Sequence, residues 1–342
     1  MEVPIAPASQ PTAEDALLSA IRDLLHDEPV GFVDIGARGD IHPLVEAIAP
    51  AVAVLGFEPD AIEVARLKEA AGIRPRFASV EIEDVALSNK EGAATLHHLT
   101  VPTNSSLLPP NSIFVERYGM EKWHEIGRSE VTTTTLDKAL TRKHSAIPWG
   151  EMIKIDTQGT EFEILEGAAR TLRERTSFLC LEVSFCALYR GQKLFSDIER
   201  LLRDLDFSFY GFDRVFHRSC KAFDKRSEWT RERMIQADAY FIRDPCDRPT
   251  QPSPPRQYAI AAIGALISGY HDLALELAKG LGPEANAFAA AVRRRAASPA
   301  PAAVAAVASL NDAVHAEPER ANILVGKFVD ERRGHNDYYD VS

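Results

Sequence analysis

The sequence predicts a doubly wound α/β sheet with a C-terminal α-helical extension, and three observations predict it. Short apolar runs alternate with helix-periodic segments from about residue 30 to residue 243. The first run, Val30 to Ile35, leads into a glycine turn, and the second, Ala51 to Phe57, ends in an acid. Four acids, Asp34, Glu58, Asp156 and Glu182, fall at or near the carboxyl ends of predicted strands, the edge where such sheets bind ligands. A chain of 342 residues with 45% apolar residues has ample material for one large or two smaller domains.

Each element has a local reason. Residues 1 to 13 carry three prolines and read as a disordered lead. A helix starting at Thr12 or Glu14 would put Leu17, Leu18, Ile21, Leu24 and Leu25 on one face. A short helix-like segment joins the first two strands, and Ile62 to Ala71 reads as the next helix. Phe77 to Leu87 holds a third strand, and Ala94 to Leu99 a returning one after Gly92. Val131 to Leu136 reads as a short edge strand, with Thr135-Leu136-Asp137 capping the helix that follows. Met152 to Ile155 is a short apolar strand carrying Lys154, and Glu161 to Leu172 is a helix. Phe178 to Val183 is a buried strand, and Ser196 to Leu205 an amphipathic helix. Phe207 to Phe212 and Ala237 to Ile242 are close enough in sequence to form an antiparallel pair.

Five of the eleven residues from Pro245 to Pro255 are proline, which predicts a stiff linker. Beyond it, Ala259 to Ile267 and Leu273 to Leu281 read as an antiparallel helix pair, and Ser298 to Ala302 separates a further helix. The expected division is therefore 1–29, a lead and helix; 30–244, the sheet domain; 245–256, a linker; 257–330, a helical module; and 331–342, a tail. The C-terminal helices offer a surface for a protein partner or for self-association.

Charge and cysteine content exclude several functions. A net charge of −11 argues against a phosphate-backbone partner. Cys180, Cys186, Cys220 and Cys246 form no C-x-x-C pair, and no His/Asp cluster has metal spacing, so no metal is expected and the cysteines read as reduced core thiols. There is no apolar leader and no 18-residue apolar span, which predicts a soluble cytoplasmic protein with no membrane insertion.

The turn after the first strand suits a nucleoside cofactor. Gly36 would let the backbone approach a ligand, and Glu58, 24 residues after Asp34, can accept both hydroxyls of a ribose. The spacing Gly36-Ala37-Arg38-Gly39 lacks the second glycine of a dinucleotide fingerprint, and Asp34 stands just before the turn. An acid there suits a cationic ligand without phosphate, and S-adenosylmethionine fits. A glycine turn of this length also suits other α/β proteins.

The segments Val33-Asp34-Ile35-Gly36-Ala37-Arg38-Gly39, Phe57-Glu58-Pro59-Asp60, Thr135-Leu136-Asp137, Ile153-Lys154-Ile155-Asp156-Thr157-Gln158-Gly159 and Ala237-Asp238-Ala239-Tyr240-Phe241-Ile242-Arg243 together resemble FkbM-type methyltransferases over residues 30 to 244. The resemblance implies a Rossmann-like, seven-stranded class I methyltransferase sheet whose last strand is antiparallel, with S-adenosylmethionine as donor. Named members of the family methylate hydroxyls of polyketides or sugars. Arg38 stands where the usual turn has Asn, and Gly39 comes one position early.

The expected donor contacts are Asp34, Gly36, Ala37, Gly39, Glu58, Pro59, Ala86 and Asp156. An alcohol acceptor must lose a proton, so a carboxylate near the methyl would serve as base, and Asp156 and Glu182 are the candidates by position. Asp156 could instead cap the next helix or bond the donor's ammonium. Glu182 is expected to orient Gln192 or the acceptor. His42 could approach the donor. Asn104 and Ser105 in one loop, with Tyr189 and Gln192 in another, are the expected contacts to a small-molecule or glycan acceptor. Trp123 and Trp149 would either stack on a sugar face or fill the core. The leading expectation is an O-methyltransferase; a catalytically silent binding module and a nucleotide-dependent dehydrogenase are the alternatives.

Overall fold

A computed structural model describes residues 13–73, 76–143, 146–220, 232–247, 253–297 and 301–332. The expected lead over 1–12, most of the tail and part of the Ser298–Ala302 separator lie outside the described residues. In chain order the strands are β1 (Val30–Ile35), β2 (Val52–Phe57), β3 (Ser79–Glu83), β4 (Ala86–Leu87), β5 (Gly92–Leu99), β6 (Glu125–Thr134), β7 (Met152–Ile155), β8 (Phe178–Ser184), β9 (Ser208–Arg218) and β10 (Arg233–Ile242). The helices are α1 (Ala13–Leu24), α2 (Ala61–Ile73), α3 (Ser112–Tyr118), α4 (Leu136–Arg142), α5 (Glu161–Glu166), α6 (Ala169–Glu174), α7 (Phe195–Asp204), α8 (Pro255–Ile267), α9 (His271–Gly280), α10 (Asn286–Ala297), α11 (Pro301–Ala316) and α12 (Ala321–Arg332).

Seven strands form one sheet in the order β3-β2-β1-β7-β8-β10-β9. In it β3, β2, β1, β7 and β8 pair in parallel, and β10 runs antiparallel to both neighbours. The order reverses between β1 and β7, which opens a crevice at their carboxyl ends. Asp34 and Lys154 are paired there in register, and the chain leaves the two strands through Gly36 and Asp156.

Residue alternation divides the core between the two sheet faces. Val33, Ile35, Leu55, Ile153, Leu181 and Phe241 face α4 to α7. Phe32, Val54, Met152, Phe178, Cys180, Tyr240 and Ile242 face the other way, against α1, α2 and α8 to α10. The β1-to-β2 connection supplies only a 3₁₀ segment, Pro43–Ala51, to that second face. The C-terminal helices cover the rest of it. Gly264 of α8 lies so close to the sheet that a Cβ would come within 2.4 Å of the Phe178 ring. Arg256, at the start of α8, donates to Glu151 Oε2 at 3.0 Å, and the same oxygen accepts from Gly31 N. The hydrophobic core therefore runs across the predicted linker, and α8 to α10 share it with the sheet.

Four local expectations need correction. The predicted strand Phe77–Leu87 divides, because β2 ends at Phe57 opposite Glu83; Ala86 and Leu87 find Thr133 and Thr134 instead. The predicted short edge strand at 131–136 is the end of the longer β6, which lies between β4 and β5 in a second, three-stranded sheet. The helix predicted over 161–172 breaks at Gly167-Ala168, where the Gly167 carbonyl accepts from Asp137 N. Cys180 and Cys186 are core thiols as read, but Cys220 and Cys246 are exposed. The Thr135 cap forms, its hydroxyl accepting from Lys138 N at 3.2 Å.

Candidate active site

The crevice at the strand-order reversal holds a cavity of about 350 Å³. That lies within the roughly 300–1,000 Å³ of small-molecule sites. Gly36, Arg38 and His42 line it from the turn after β1, and Glu58 and Pro59 from the end of β2. Val85, Ala86 and Leu87 supply an apolar side. Pro102, Thr103, Ser105 and Ser106 come from the loop after β5, and Asp156, Thr157 and Gln158 from the end of β7.

Gly36 lies on the cavity wall, and its missing side chain also serves a contact within the protein. At φ +76° its Cβ would sit 1.9 Å from the Asp156 carbonyl oxygen. The glycine lets the turns after β1 and β7 touch, which places Asp156 beside Gly36.

Asp34 is fully buried and does not line the cavity. Lys154 Nζ stands 3.3 Å from its Oδ1, and His42 N donates to its Oδ2 at 2.8 Å. Lys154 also donates to the Gly36 carbonyl at 3.1 Å. Burial alone would lower the Lys154 ammonium, but Asp34 and Asp156 overcome it and hold the group raised and charged. The pair thus braces the turn, and Lys154 also lines the cavity. Ala37 is buried in the core, and Gly39 is exposed beside Glu63, to which its N–H donates at 2.8 Å.

Glu58 does open on the cavity. The residue is 4% exposed, and burial raises the proton affinity of its carboxyl. Oε1 accepts from Asp60 N at 2.9 Å, and Arg38 stands 4.0 Å away while pairing closely with Asp60. A carboxylate has about four acceptor sites, so Glu58 keeps capacity for a pair of hydroxyls. That spare capacity, beside the apolar wall of Val85 to Leu87, fits the ribose and base of a nucleoside. His42 also faces the cavity; burial, then Lys154 and Arg214, lower it to about 4, so its ring is neutral at pH 7.

The two candidate bases are not equivalent. Asp156 lines the cavity, whereas Glu182 does not. Glu182 lies behind Gln158, which donates to both of its oxygens at 2.9 and 3.0 Å, and it also accepts from Gln236. Burial, then Asp156, Glu161 and Asp238, push Glu182 far above the usual carboxylate range. Asp156 does not cap the next helix: α5 has no side-chain cap at its N-terminus, and its first residue, Glu161, accepts from Thr157 N and Gly159 N of the preceding turn. Gln192 is oriented by the turn at 188–192 and by Ser184, to which it donates at 2.9 Å, and not by Glu182.

Of the expected acceptor contacts, Ser105 lines the cavity and Asn104, Tyr189 and Gln192 do not. Tyr189 is 1% exposed, against Trp123, and Trp149 is also core. The main omission from the sequence reading is Gln158, at φ 61°, a conformation that costs a non-glycine residue about 1–2 kcal/mol. A Gln directly before Gly159 at a strand end was the available signal. Lys154 and Asp238 had another: each is an ionisable residue inside an apolar strand, which requires a partner. Asp238 sits opposite Glu182 and Asp213, and burial followed by Asp156 raises it to about 7.

A sheet of this order, with a glycine turn after β1 and acids after β2 and β7, on either side of it, opening on one cavity, defines the class I methyltransferase fold. Residues 34–209, slightly more than half of the chain, match the model of the methyltransferase FkbM domain. The chain belongs to that family, and S-adenosylmethionine is its methyl donor. Among solved structures it is similar to methyltransferase FkbM from Methylobacillus flagellatus KT, at 17% identity over 62% of this chain and 43% of that one, with a TM-score of 0.35. The chain thus spans less than half of that protein. It is also similar to magnesium protoporphyrin IX methyltransferase from Synechocystis PCC 6803 with bound S-adenosylmethionine, at 11% identity over 67% and 79%, TM-score 0.32. A third is a putative tRNA (m1A22) methyltransferase from Streptococcus pneumoniae, at 10% identity over 92% and 96%, TM-score 0.33. Similarity at this level says nothing of the acceptor. A comparison with curated proteins returned no match.

Proposed function

We propose that the protein transfers a methyl group to a hydroxyl of a sugar, glycan or similar polyhydroxylated acceptor, with Asp156 as the proton acceptor. The observation that carries this reading is that Asp156 lines the same cavity as Thr103, Ser105 and Ser106. Three hydroxyl side chains beside one carboxylate suit a polar acceptor better than an apolar one. Bound S-adenosylmethionine supplies a methyl already activated by its sulfonium. Glu58 would hold the ribose, and Val85, Ala86 and Leu87 would flank the base. Asp156 would take the hydroxyl proton, and the rigid turn at Gly36 would keep the reacting groups in line, so that positioning supplies most of the rate.

Mass spectrometry of surface glycans and lipids, with and without the protein in its cell, would find the acceptor as a species lighter by one methyl in its absence. With that acceptor in hand, Asp156→Asn should lose about 10²–10⁴ in single-turnover rate and far less, about tenfold, in donor affinity. Near-normal turnover in that variant would remove Asp156 as base. Donor binding with no turnover on any hydroxylated acceptor would favour a binding module instead.

A further inference from the structure

The Gln158 carboxamide stands between three groups that would otherwise be separate. Its Nε2 is 2.9 Å from Asp156 Oδ1 and 2.9 Å from Glu182 Oε2. Its Oε1 accepts from the Tyr189 hydroxyl at 2.9 Å. That hydroxyl also lies 2.6 Å from the Asn104 carbonyl, in the loop whose Pro102, Thr103, Ser105 and Ser106 line the cavity. In this orientation the amide N–H groups face the two carboxyl groups and its oxygen shares the single Tyr189 proton with the Asn104 carbonyl. The backbone is bent to achieve it. Gln158 occupies the left-handed region, and the following Gly159, at φ +107°, lacks a Cβ that would come within 2.9 Å of the Tyr189 ring.

We infer that Gln158 is a positioning residue: held by Tyr189, its carboxamide sets the Asp156 carboxylate on the cavity wall and ties it to the 102–106 loop. This rests on Asp156 being the functional carboxylate proposed above. Glu182 and Gln236 are the rigid backing of the device. Burial, then Asp156 and Glu161, raise the proton affinity of the Glu182 carboxyl behind the amide. Through the Tyr189 hydroxyl the carboxamide joins the end of β7 to the 102–106 loop.

The test is a double-mutant cycle read by calorimetry with S-adenosylmethionine, which needs no acceptor. Gln158→Ala should weaken binding roughly tenfold and Tyr189→Phe roughly threefold, as expected for loss of a charge-assisted and a neutral hydrogen bond. The double variant should bind about as Gln158→Ala does, because both changes break one relay. Losses that multiply to roughly thirtyfold, or single variants that bind like wild type, would overturn the inference. Failure of the wild-type chain to bind would overturn the cofactor assignment and this inference with it. The near-isosteric Gln158→Glu is the second probe, should truncation unfold the chain. Its new carboxyl would face Asp156 and Glu182, with Glu161, Asp238 and Lys154 nearby and Tyr189 on its other side. Donor affinity should approach the wild-type value near about pH 5, where that carboxyl can hold a proton to donate. It should fall roughly tenfold or more by about pH 8. A pH profile that parallels wild type would refute the positioning role.

Discussion

Lys154→Met separates a bracing ion pair from a ligand-binding one. Asp34 is fully buried and Lys154 is 6% exposed, with 3.3 Å between ammonium and carboxylate. The substitution keeps the side chain's length and apolar stem but removes the charge. Asp34 would retain the His42 N–H bond and lose its only counter-charge within 4 Å among the described residues. Breaking one partner of a buried pair costs about 3–5 kcal/mol, a large share of the roughly 5–15 kcal/mol that holds a domain folded. The Gly36 carbonyl loses its lysine donor in the same step, so the turn should loosen. Adding Asp34→Asn removes the stranded charge, and the double variant should recover to within about 1–2 kcal/mol of wild type. Guanidinium denaturation at pH 7, followed by circular dichroism, measures all three proteins. A loss below about 1 kcal/mol for Lys154→Met, with no recovery in the double variant, would refute the bracing role. Asp34 would then return as a direct contact to the donor.

Three further outcomes follow from the same geometry. Glu58→Ala should weaken S-adenosylmethionine binding roughly 10- to 100-fold in a folded protein, as expected for lost charge-assisted hydrogen bonds; unchanged affinity by calorimetry would remove Glu58 from the site. Truncation after Asp244 should give an aggregating product, since it uncovers Phe178, Cys180, Tyr240 and Ile242 on one sheet face; a soluble, monomeric product by size-exclusion chromatography would show that the C-terminal helices are dispensable. His42 has a folded-state value of about 4, below the 6.5 of an unfolded histidine, so the unfolded chain takes up the proton first. Its contribution, about 2–3 kcal/mol, is full above pH 6.5 and lost as the pH falls toward 4, so the stability gap between wild type and His42→Gln should shift by that amount over this window in denaturation curves.

What the sequence determined by itself is what depends on near neighbours along the chain. Short, near-continuous apolar runs make Val30–Ile35 and Phe178–Ser184 buried strands, and the Thr135 hydroxyl reaches the backbone of Lys138 three residues on. The glycine turn, the acids at the strand ends and the family motifs are likewise short-range patterns, so the class of the fold and its donor could be read directly. The tertiary structure decided what each of those acids does, because that depends on groups far apart in sequence. Asp34 turned inward because Lys154 of the neighbouring strand meets it, and Glu182 fell behind Gln158 because β10 brings Gln236 and Asp238 alongside. Tyr189 reaches Asn104 across 85 residues, a contact no local pattern encodes. The C-terminal helices joined the core for a similar reason. Their alanine-rich sequence marks them as helical, but only the short 3₁₀ crossover after β1 leaves a sheet face for them to cover. Periodicity shows that a helix has an apolar side; it is the rest of the fold that supplies the surface on which that side is buried.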